Sequence, residues 1–256
     1  MKNFLSIDQG TTSSRSIIFD ANLNLVTDAQ EEYDLTYPED GWVELEPKKI
    51  IETVTNTLNK VVSADIGLQA CGITNQRETT IVWSKSTGEA IYPGIVWQDR
   101  RTHEYCSYLK SNGHESVIKE KTGLLLDPYF SATKIRWILD NVDGAREKAS
   151  KGELLFGTVD SYLIYMLSKE KNHFTDVTNA SRTLLFNIKS MEWDDELLEL
   201  FEIPKTMMPE VLSCDGDFGN LKINDCEIPI RGVIGDQQAA LVGQGCFHNG
   251  DMKSTY

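Results

Sequence analysis

The sequence predicts an α/β fold with an antiparallel element at its front. Two observations support this prediction: apolar segments of strand length alternate with amphipathic helical segments through most of the chain, and the first two apolar segments are joined by a turn too short to hold a helix. A chain of 256 residues can bury a sizeable core, and no repeat or low-complexity linker divides it. We therefore treat residues 1–256 as one domain.

The N-terminal region is predicted to form hairpin-connected strands followed by a long helix. The stretch FLSIDQGTTSSRSIIFDANLNLVTDAQEEY consists of apolar strand segments interrupted at Gly10 and again at residues 20–22. Pro47 then opens the amphipathic stretch PKKIIETVTNTLNKVVSA, because proline is tolerated in the first turn of a helix, where its missing N–H is not needed.

The remaining elements continue the alternation of strands and helices. Predicted strands are ACGIT, TIVWSK and AIYPGIVWQ, the last two separated by the turn SKSTGEA. Predicted helices lie at 102–112, 131–142 with Ser131 as its N-cap, and 144–151. The later stretches, in order, are GELLFGTVDSYLIYMLS (a strand and a helix capped near Thr158), WDDELLELF (a short helix) and PIRGVIGDQQAALVGQG (a strand, a turn at Gly235 and a helix).

Composition narrows the classes of partner. The 39 acidic residues outnumber the 25 basic ones, giving a net charge of −14, and the basic residues are scattered, which argues against a nucleic-acid partner. No stretch approaches the roughly 20 apolar residues of a membrane span, so we expect no membrane insertion. The five cysteines form no CxxC pair and are expected to be reduced thiols of a cytoplasmic protein.

The turn after the first strand combines a carboxylate, a glycine, hydroxyls and an arginine. Its residues are Asp8, Gly10, Thr11, Thr12, Ser13, Ser14 and Arg15. A glycine allows a tight turn whose N–H groups and hydroxyls face an anion, although a plain solvated turn has the same composition. The motif is neither a Walker loop nor a GxGxxG fingerprint. The aspartate favours a site for magnesium and phosphate, because Mg²⁺ prefers one or two carboxylates together with phosphate oxygens.

Two further segments suggest a pocket for a hydroxylated ligand. In GITNQRETTIVW, Arg77 offers fixed donors beside the acceptor Glu78, which suits hydroxyls that both donate and accept. The alternative is a surface ion pair. Trp97 and Tyr129 lie beside turn signals, where their rings are suited to wall a pocket, although such aromatics are more often core residues.

The stretch VIGDQQAAL places Asp236 between a strand and a helix. Its carboxylate is expected either to cap the helix or to act in catalysis. Neighbouring residues do not separate these two interpretations.

Taken together and in order, these segments resemble the FGGY family of carbohydrate kinases, and within it the members that phosphorylate glycerol. The segments that carry the resemblance are DQGTTSSR, GWVE, GITNQRETT, IVWQDRR, TGLLLDPYFSATK, GELLFGTVDSYL, TNASRTLLFNI, WDDELLEL and GDQQAAL. The resemblance implies a ribonuclease H-like, actin-like ATPase fold with a mixed sheet flanked by helices. It also implies that residues 1–256 are the N-terminal, substrate-binding domain of a two-domain enzyme.

The resemblance further implies roles for individual residues in ATP-dependent phosphorylation of glycerol. The implied glycerol pocket consists of Arg77, Glu78, Trp97, Tyr129, Asp236 and Gln237, with Asp236 as the catalytic base. The implied contacts to the ATP phosphates are Thr11, Thr12, Ser13 and Arg15, and Asp8 is the implied ligand of Mg²⁺.

The family also sets expectations about what surrounds the chain. Its glycerol-phosphorylating members continue past a sequence like STY into a C-terminal kinase domain. We expect that domain to be absent from this chain. The last residues, 250–256, have the pattern of a strand entering a turn. By itself the chain is then expected to bind glycerol weakly and to have little or no kinase activity. Members are commonly dimers or tetramers, so the resemblance allows a homo-oligomer.

Three other interpretations stay open at this point. The chain is compatible with a non-catalytic polyol-binding or regulatory half, and with a kinase for another small polyol. A third interpretation, an ATPase related to actin or Hsp70, shares the hairpin turn for phosphate but provides no reason for NQRETT or the two pocket aromatics.

Overall fold

The computed structural model describes residues 2–254 and confirms the α/β fold. The strands of these residues, in chain order, are β1 (Asn3–Gln9), β2 (Ser13–Asp20), β3 (Leu25–Glu32), β4 (Glu44–Leu45), β5 (Leu68–Asn75), β6 (Ile81–Ser84), β7 (Gly94–Ile95), β8 (Leu154–Gly157), β9 (Phe174–Asp176), β10 (Phe186–Asn187), β11 (Glu192–Trp193), β12 (Glu210–Leu212), β13 (Asn220–Ile223) and β14 (Cys226–Gly235). The helices are α1 (Pro47–Val61), α2 (His103–Ser111), α3 (Glu115–Thr122), α4 (Ser131–Asn141), α5 (Ala145–Ser150), α6 (Val159–Leu167), α7 (Val177–Ala180), α8 (Asp195–Leu200) and α9 (Asp236–Gly243), with 3₁₀ turns at Ala64–Ile66 and Lys205–Met207.

The main sheet is mixed, with parallel strands at its centre. Its strand order is β13-β14-β5-β1-β2-β3. Strands β14, β5 and β1 run parallel to one another, whereas β2, β3 and β13 are antiparallel to their neighbours. The front of the chain therefore forms the predicted hairpins, and each later parallel strand requires a crossover connection.

The register of the three parallel strands aligns their last residues in a row. Gln9 at the end of β1 lies opposite Asn75 at the end of β5, and Asn75 lies opposite Gly235 at the end of β14. The segments that follow these three strands therefore leave the sheet side by side, at one edge.

Helix α1 covers one face of this sheet. It begins at Pro47 and buries Ile50, Val54 and Leu58, which recur every four residues and so form one stripe along the helix. Burial of each such side chain stabilises the fold by about 1.5–3 kcal/mol. The same helix face carries Thr53, whose hydroxyl is hydrogen-bonded to Ser14 of β2 at 2.8 Å.

A second apolar core lies away from α1. It is formed largely by residues of α2, α4 and α5 together with strands β6 and β8, and includes Val82, Ile135, Ile138 and Phe156. Strands β6 and β8 pair with each other outside the main sheet, and the neighbouring Trp83 of β6 belongs to the first core. Alternate residues of β6 thus contribute to the two cores, as the period of a strand requires.

Several local predictions are wrong. Only Gly94–Ile95 of AIYPGIVWQ forms a strand, since Pro93 cannot donate to a ladder. Helix α3 was not predicted, although Gly123 ends it with φ 72°, a typical helix stop. Ser131 is the first residue of α4 rather than its N-cap, because its hydroxyl donates to the Glu78 carbonyl at 3.1 Å. Residues 250–254 form no strand, and the last two residues of that prediction lie outside the described residues.

Other expectations agree with the structure. Residue Thr158 immediately precedes α6, although its hydroxyl donates to the Asp160 side chain instead of capping the helix backbone. All five cysteines are free thiols. Among the helices of residues 2–254, none has the length and apolar character needed to cross a membrane.

His173 makes stability depend on pH. Its Nε2–H donates to the Phe156 carbonyl at 2.7 Å, and its ring packs edge-on against Trp83 with centroids 5.4 Å apart. Burial is the main cause that lowers the pKa of His173 to about 4. The folded chain therefore holds a neutral imidazole at pH values where the unfolded chain, with a pKa near 6.5, has bound a proton.

We predict that this histidine weakens the fold as the pH falls from about 6.5 to about 4, by on the order of 3 kcal/mol in the free energy of unfolding. His173→Gln keeps a donor for Phe156 but cannot titrate, so the variant should gain stability relative to the original chain over this interval. Denaturant unfolding of both proteins at a series of pH values measures the difference. A difference that does not change with pH would contradict the prediction.

Candidate active site

Several segments singled out from the sequence meet at the carboxyl edge of the parallel strands. The turn 10–12 follows β1, the loop 76–80 follows β5, and α9 follows β14. Trp97 follows β7 and Tyr129 precedes α4. Ligand sites of α/β proteins lie at such an edge.

The turn after β1 is held by a buried network of side-chain amides and a phenol. The Gly10 N–H donates to the Ser13 carbonyl at 2.8 Å, and the Gly10 carbonyl accepts from the Tyr33 hydroxyl at 2.7 Å and from Gln76 Nε2 at 3.0 Å. Gln9 Nε2 donates to the same Tyr33 oxygen at 2.6 Å. Burial raises the pKa of Tyr33 to about 12, so the phenol stays a neutral donor. The turn and the loop after β5 are thus tied to each other.

Alternation along β2 divides the hydroxyls of this turn between two faces. Arg15 lies opposite Asp8 in the β1–β2 ladder, and Ser13 shares its face of the strand. Ser14 lies on the other face, where it is fully buried against Thr53. The expectation that Ser14 faces an anion is therefore wrong, because its hydroxyl is used inside the sheet–helix interface.

Arg77 and Glu78 are buried, which excludes the surface ion pair. Their side chains are 5% and 2% exposed, and Arg77 Nη2 lies 4.0 Å from Glu78 Oε1. Glu78 has φ 62°, a left-handed backbone that is uncommon for residues other than glycine. Burial raises the pKa of the Glu78 carboxyl, while nearby cations oppose that rise. Such strained backbone clusters at functional sites.

Asp236 is the first residue of α9, and Gly235 occupies the capping position before it. Asp236 Oδ1 accepts from the Gln237 N–H at 2.7 Å and lies 3.5 Å from Arg77 Nε. The carboxylate is 46% exposed and so keeps free acceptor positions. The prediction that Asp236 is the N-cap residue is wrong, because Asp236 lies within the helix and Gly235 is the cap. A contact with the helix N-terminus remains, through Gln237.

The glycine before Asp236 is required by a close approach of Arg77. A Cβ at Gly235 would lie 2.4 Å from Cδ and 2.8 Å from Cγ of Arg77. These atoms lie in the middle of a buried side chain rather than at its flexible end, so the added Cβ would displace Arg77. Gly235 itself has an ordinary φ of −59°, so it is space rather than backbone conformation that demands glycine.

Trp97 and Tyr129 form a corner of the site. Their ring centroids are 5.6 Å apart with an interplanar angle of 60°, an edge-to-face contact. The indole N–H of Trp97 donates to the Thr11 hydroxyl at 3.1 Å. One aromatic residue therefore connects the turn after β1 with the ring of Tyr129.

These groups enclose a small polar cavity of about 110 Å³. It is lined by Thr11, Gln76, Arg77, Glu78, Trp97, Tyr129, Asp236 and Gln237. Pockets for drug-sized ligands have roughly 300–1,000 Å³, so this cavity suits a ligand of only a few non-hydrogen atoms. The six residues that the resemblance assigned to the glycerol pocket are all among its walls.

Asp8 lies near the end of β1, where its carboxyl is influenced by the charges of Asp236 and Arg15. Burial raises the pKa of Asp8, the charge of Asp236 raises it further, and Arg15 acts in the opposite direction. Arg15 is itself paired with Asp28 at 2.6 Å. Residues 2–254 hold no group of three or more His, Cys, Asp or Glu side chains suited to a metal. Mg²⁺ nevertheless fits, because it needs one or two carboxylates together with waters and phosphate oxygens.

Three residues of the site were missed in the sequence. Gln76 lies next to Arg77 and lines the cavity. Arg182 donates from Nε to Glu78 Oε1 at 2.6 Å, and the fully buried Lys134 donates to the Tyr129 carbonyl at 2.5 Å. Arg182 and Glu78 are 104 positions apart, so no local pattern links them.

Comparison with known proteins agrees with this geometry. The N-terminal domain of the FGGY family of carbohydrate kinases matches residues 3–243. A glycerol kinase of Alteromonas mediterranea is 58% identical over 100% of this chain and 53% of its own length. Glycerol kinase 1 of Pseudomonas aeruginosa is 54% identical over 98% of this chain and 52% of its own. The chain thus spans about half the length of the curated relatives it matches.

Solved structures share the fold. The crystal structure of Plasmodium falciparum glycerol kinase with ADP superposes with a TM-score of 0.93 at 35% identity, over 98% of this chain and 51% of that one. A xylulose kinase from Lactobacillus acidophilus superposes with a TM-score of 0.84 at 23% identity, over 96% of this chain and 50% of that one, which shows the fold alone. With the family match over residues 3–243, the chain belongs to the FGGY family of carbohydrate kinases.

Proposed function

We propose that this chain is the N-terminal, substrate-binding domain of an enzyme that transfers the γ-phosphoryl group of ATP to glycerol. The observation that carries the proposal is the small cavity in which a donor, an acceptor, two aromatic rings and a carboxylate converge. The relatives that are glycerol kinases, at 54–58% identity, support glycerol over other small polyols. We expect the other half of those longer relatives to complete the cavity.

The polyol is bound by one donor and one acceptor over an aromatic corner. Arg77 donates to hydroxyl oxygens, and Glu78 accepts from hydroxyl protons. Trp97 and Tyr129 cover the carbon skeleton and exclude water, which strengthens the polar contacts beside them. A ligand that lacks one hydroxyl would leave a buried donor or acceptor position without a partner, so the pocket discriminates by hydroxyl count.

Asp236 is the proposed general base. In phosphoryl transfer the enzyme mainly positions the nucleophile in line with the phosphorus. It also stabilises the negative charge that is distributed over the phosphoryl oxygens in the transition state. Asp236 is suited to orient the attacking hydroxyl and accept its proton, because its carboxylate lines the cavity and is still half exposed. Arg77, 3.5 Å away, limits where that carboxylate can point.

The ATP phosphates are proposed to lie against the turn after β1. Thr11, Thr12 and Ser13 supply hydroxyls there, and Arg15 supplies positive charge from the same strand face as Ser13. Asp8 is the proposed carboxylate for Mg²⁺, which when bound offsets phosphate charge. A divalent cation at Asp8 fits this environment, because burial and the charge of Asp236 both raise the pKa of the Asp8 carboxyl.

A coupled ADP-release assay tests this function. The chain is assayed with glycerol, ATP and Mg²⁺, with and without the C-terminal half of the Alteromonas mediterranea relative. Turnover that appears on adding the second half supports a glycerol kinase domain. Binding of glycerol without turnover, in a mixture where the halves associate, would instead indicate a non-catalytic polyol-binding half.

We predict that Asp236→Asn, assayed with the added half, lowers turnover by at least roughly 10²-fold while glycerol binding is kept, because a positioned base contributes on that scale. Asp195→Asn is a matched control, since Asp195 is also the first residue of a helix and is exposed. Near-normal turnover of Asp236→Asn would rule out the role of general base.

We predict that Gly235→Ala lowers glycerol affinity by about 10- to 100-fold, since overpacking costs about 1–3 kcal/mol and here displaces Arg77. Gly243→Ala lies in the same helix, α9, with no atom within 4 Å of the added Cβ, and should bind glycerol normally. Calorimetric titration of both variants with glycerol measures the effect. Equal affinities would show that Arg77 does not need its observed position.

A further inference from the structure

We propose that Arg182 is a positioning residue for Glu78: it holds one carboxylate oxygen, so that the other accepts from a hydroxyl of the polyol. Arg182 Nε donates to Glu78 Oε1 at 2.6 Å, a contact between the end of α7 and the loop after β5. Among the described residues, the hydrogen bonds to this carboxylate engage Oε1 alone. The inference rests on the proposed function, since it assigns the second oxygen to the polyol.

The backbone of Glu78 is fixed independently of Arg182. Its carbonyl accepts from the Ser131 hydroxyl at 3.1 Å and from the Thr80 hydroxyl at 3.1 Å. These two bonds from α4 and from the loop itself hold the left-handed backbone of Glu78. Loss of Arg182 should therefore release the carboxylate without releasing the loop.

Four groups face the Glu78 carboxylate, and Arg182 is the cation bonded to it. Arg77 is 4.0 Å away and donates to Gln238 Oε1 at 3.2 Å. Lys134 of α4 donates to the Tyr129 carbonyl. Burial lowers the pKa of its amine to about 7, so the amine loses its positive charge as the pH rises through neutrality. Tyr129 faces Glu78 with a phenol whose pKa burial raises.

A lysine could not replace the contacts of this arginine. The guanidinium carbon of Arg182 lies 4.9 Å from the Phe130 ring centroid and 5.7 Å from that of Tyr129. A planar guanidinium can stack on these rings while Nε donates in its plane, and it stays charged at every pH at which the protein is folded. Arg182 therefore aligns the acceptor Glu78 with the aromatic wall of the cavity.

The consequence is a defined pH dependence of polyol binding. Burial raises the pKa of Glu78, and the bond from Arg182 is the largest cause that lowers it. A protonated Glu78 loses acceptor capacity, so affinity falls as the pH falls through the pKa of Glu78. Without Arg182 that pKa rises, and the loss of affinity moves to higher pH.

The test combines a direct titration of Glu78 with glycerol binding, in the chain as it stands. Carbon-detected NMR of ¹³C-glutamate-labelled protein follows the Glu78 carboxyl, identified by its absence in Glu78→Gln. The variants are Arg182→Gln and Arg182→Lys. Arg146→Gln is the control, because Arg146 also donates to a carboxylate, Asp140, at 2.6 Å but contacts none of the cavity residues.

Arg182→Gln is expected to raise the pKa of Glu78, to weaken glycerol binding at neutral pH by about tenfold or more, and to move the acidic loss of binding to higher pH. Arg182→Lys should give intermediate values, and Arg146→Gln should match the original chain. An unchanged Glu78 titration in Arg182→Gln overturns the inference. If glycerol binds neither to the original chain nor to the chain with the added C-terminal half, the proposed function fails, and the Glu78 titration still decides whether Arg182 holds this carboxylate.

Discussion

The backbone ladder between the three parallel strands is the constraint on which the site depends. It aligns Gln9, Asn75 and Gly235 across the sheet, so that a turn, a loop and a helix start leave from neighbouring positions. The strands are far apart in sequence, and a shift of one residue would turn their side chains to the other face. The buried network of Gln9, Tyr33 and Gln76 then fixes the first two segments to each other.

Around this edge the chain buries charges that would be unfavourable if they were isolated. Arg77, Glu78 and Lys134 are all buried, and each has a partner of opposite charge or a carbonyl nearby. Such groups are costly to desolvate, and they persist where geometry compensates them. A preorganised set of donors and acceptors is what a small hydroxylated ligand requires, since the ligand brings little apolar surface of its own.

Sequence patterns predicted most of the fold, and the family resemblance named six of the residues that line the cavity, while contacts set by tertiary packing were beyond both. Hydrophobic periodicity was sufficient for α1 and the front hairpins. The different directions of Ser13 and Ser14 follow from the period of a strand and could have been predicted. The bond from Arg182 to Glu78 could not, because it joins positions 104 residues apart. Burial of Arg77 could not be predicted either, because a buried Arg-Glu pair and a surface Arg-Glu pair have the same local sequence.

The most direct test of the account follows the Trp97 indole N–H by NMR while glycerol is added to the ¹⁵N-labelled chain. This N–H donates to Thr11 at the cavity, whereas the indole of Trp193 donates to the Pro209 carbonyl at 2.7 Å away from it. Trp97→Phe identifies the signal. A polyol site in this cavity should give a saturable shift of the Trp97 signal and leave the Trp193 signal unchanged. Shifts of both signals in proportion to glycerol, without saturation, would contradict a polyol site in this cavity.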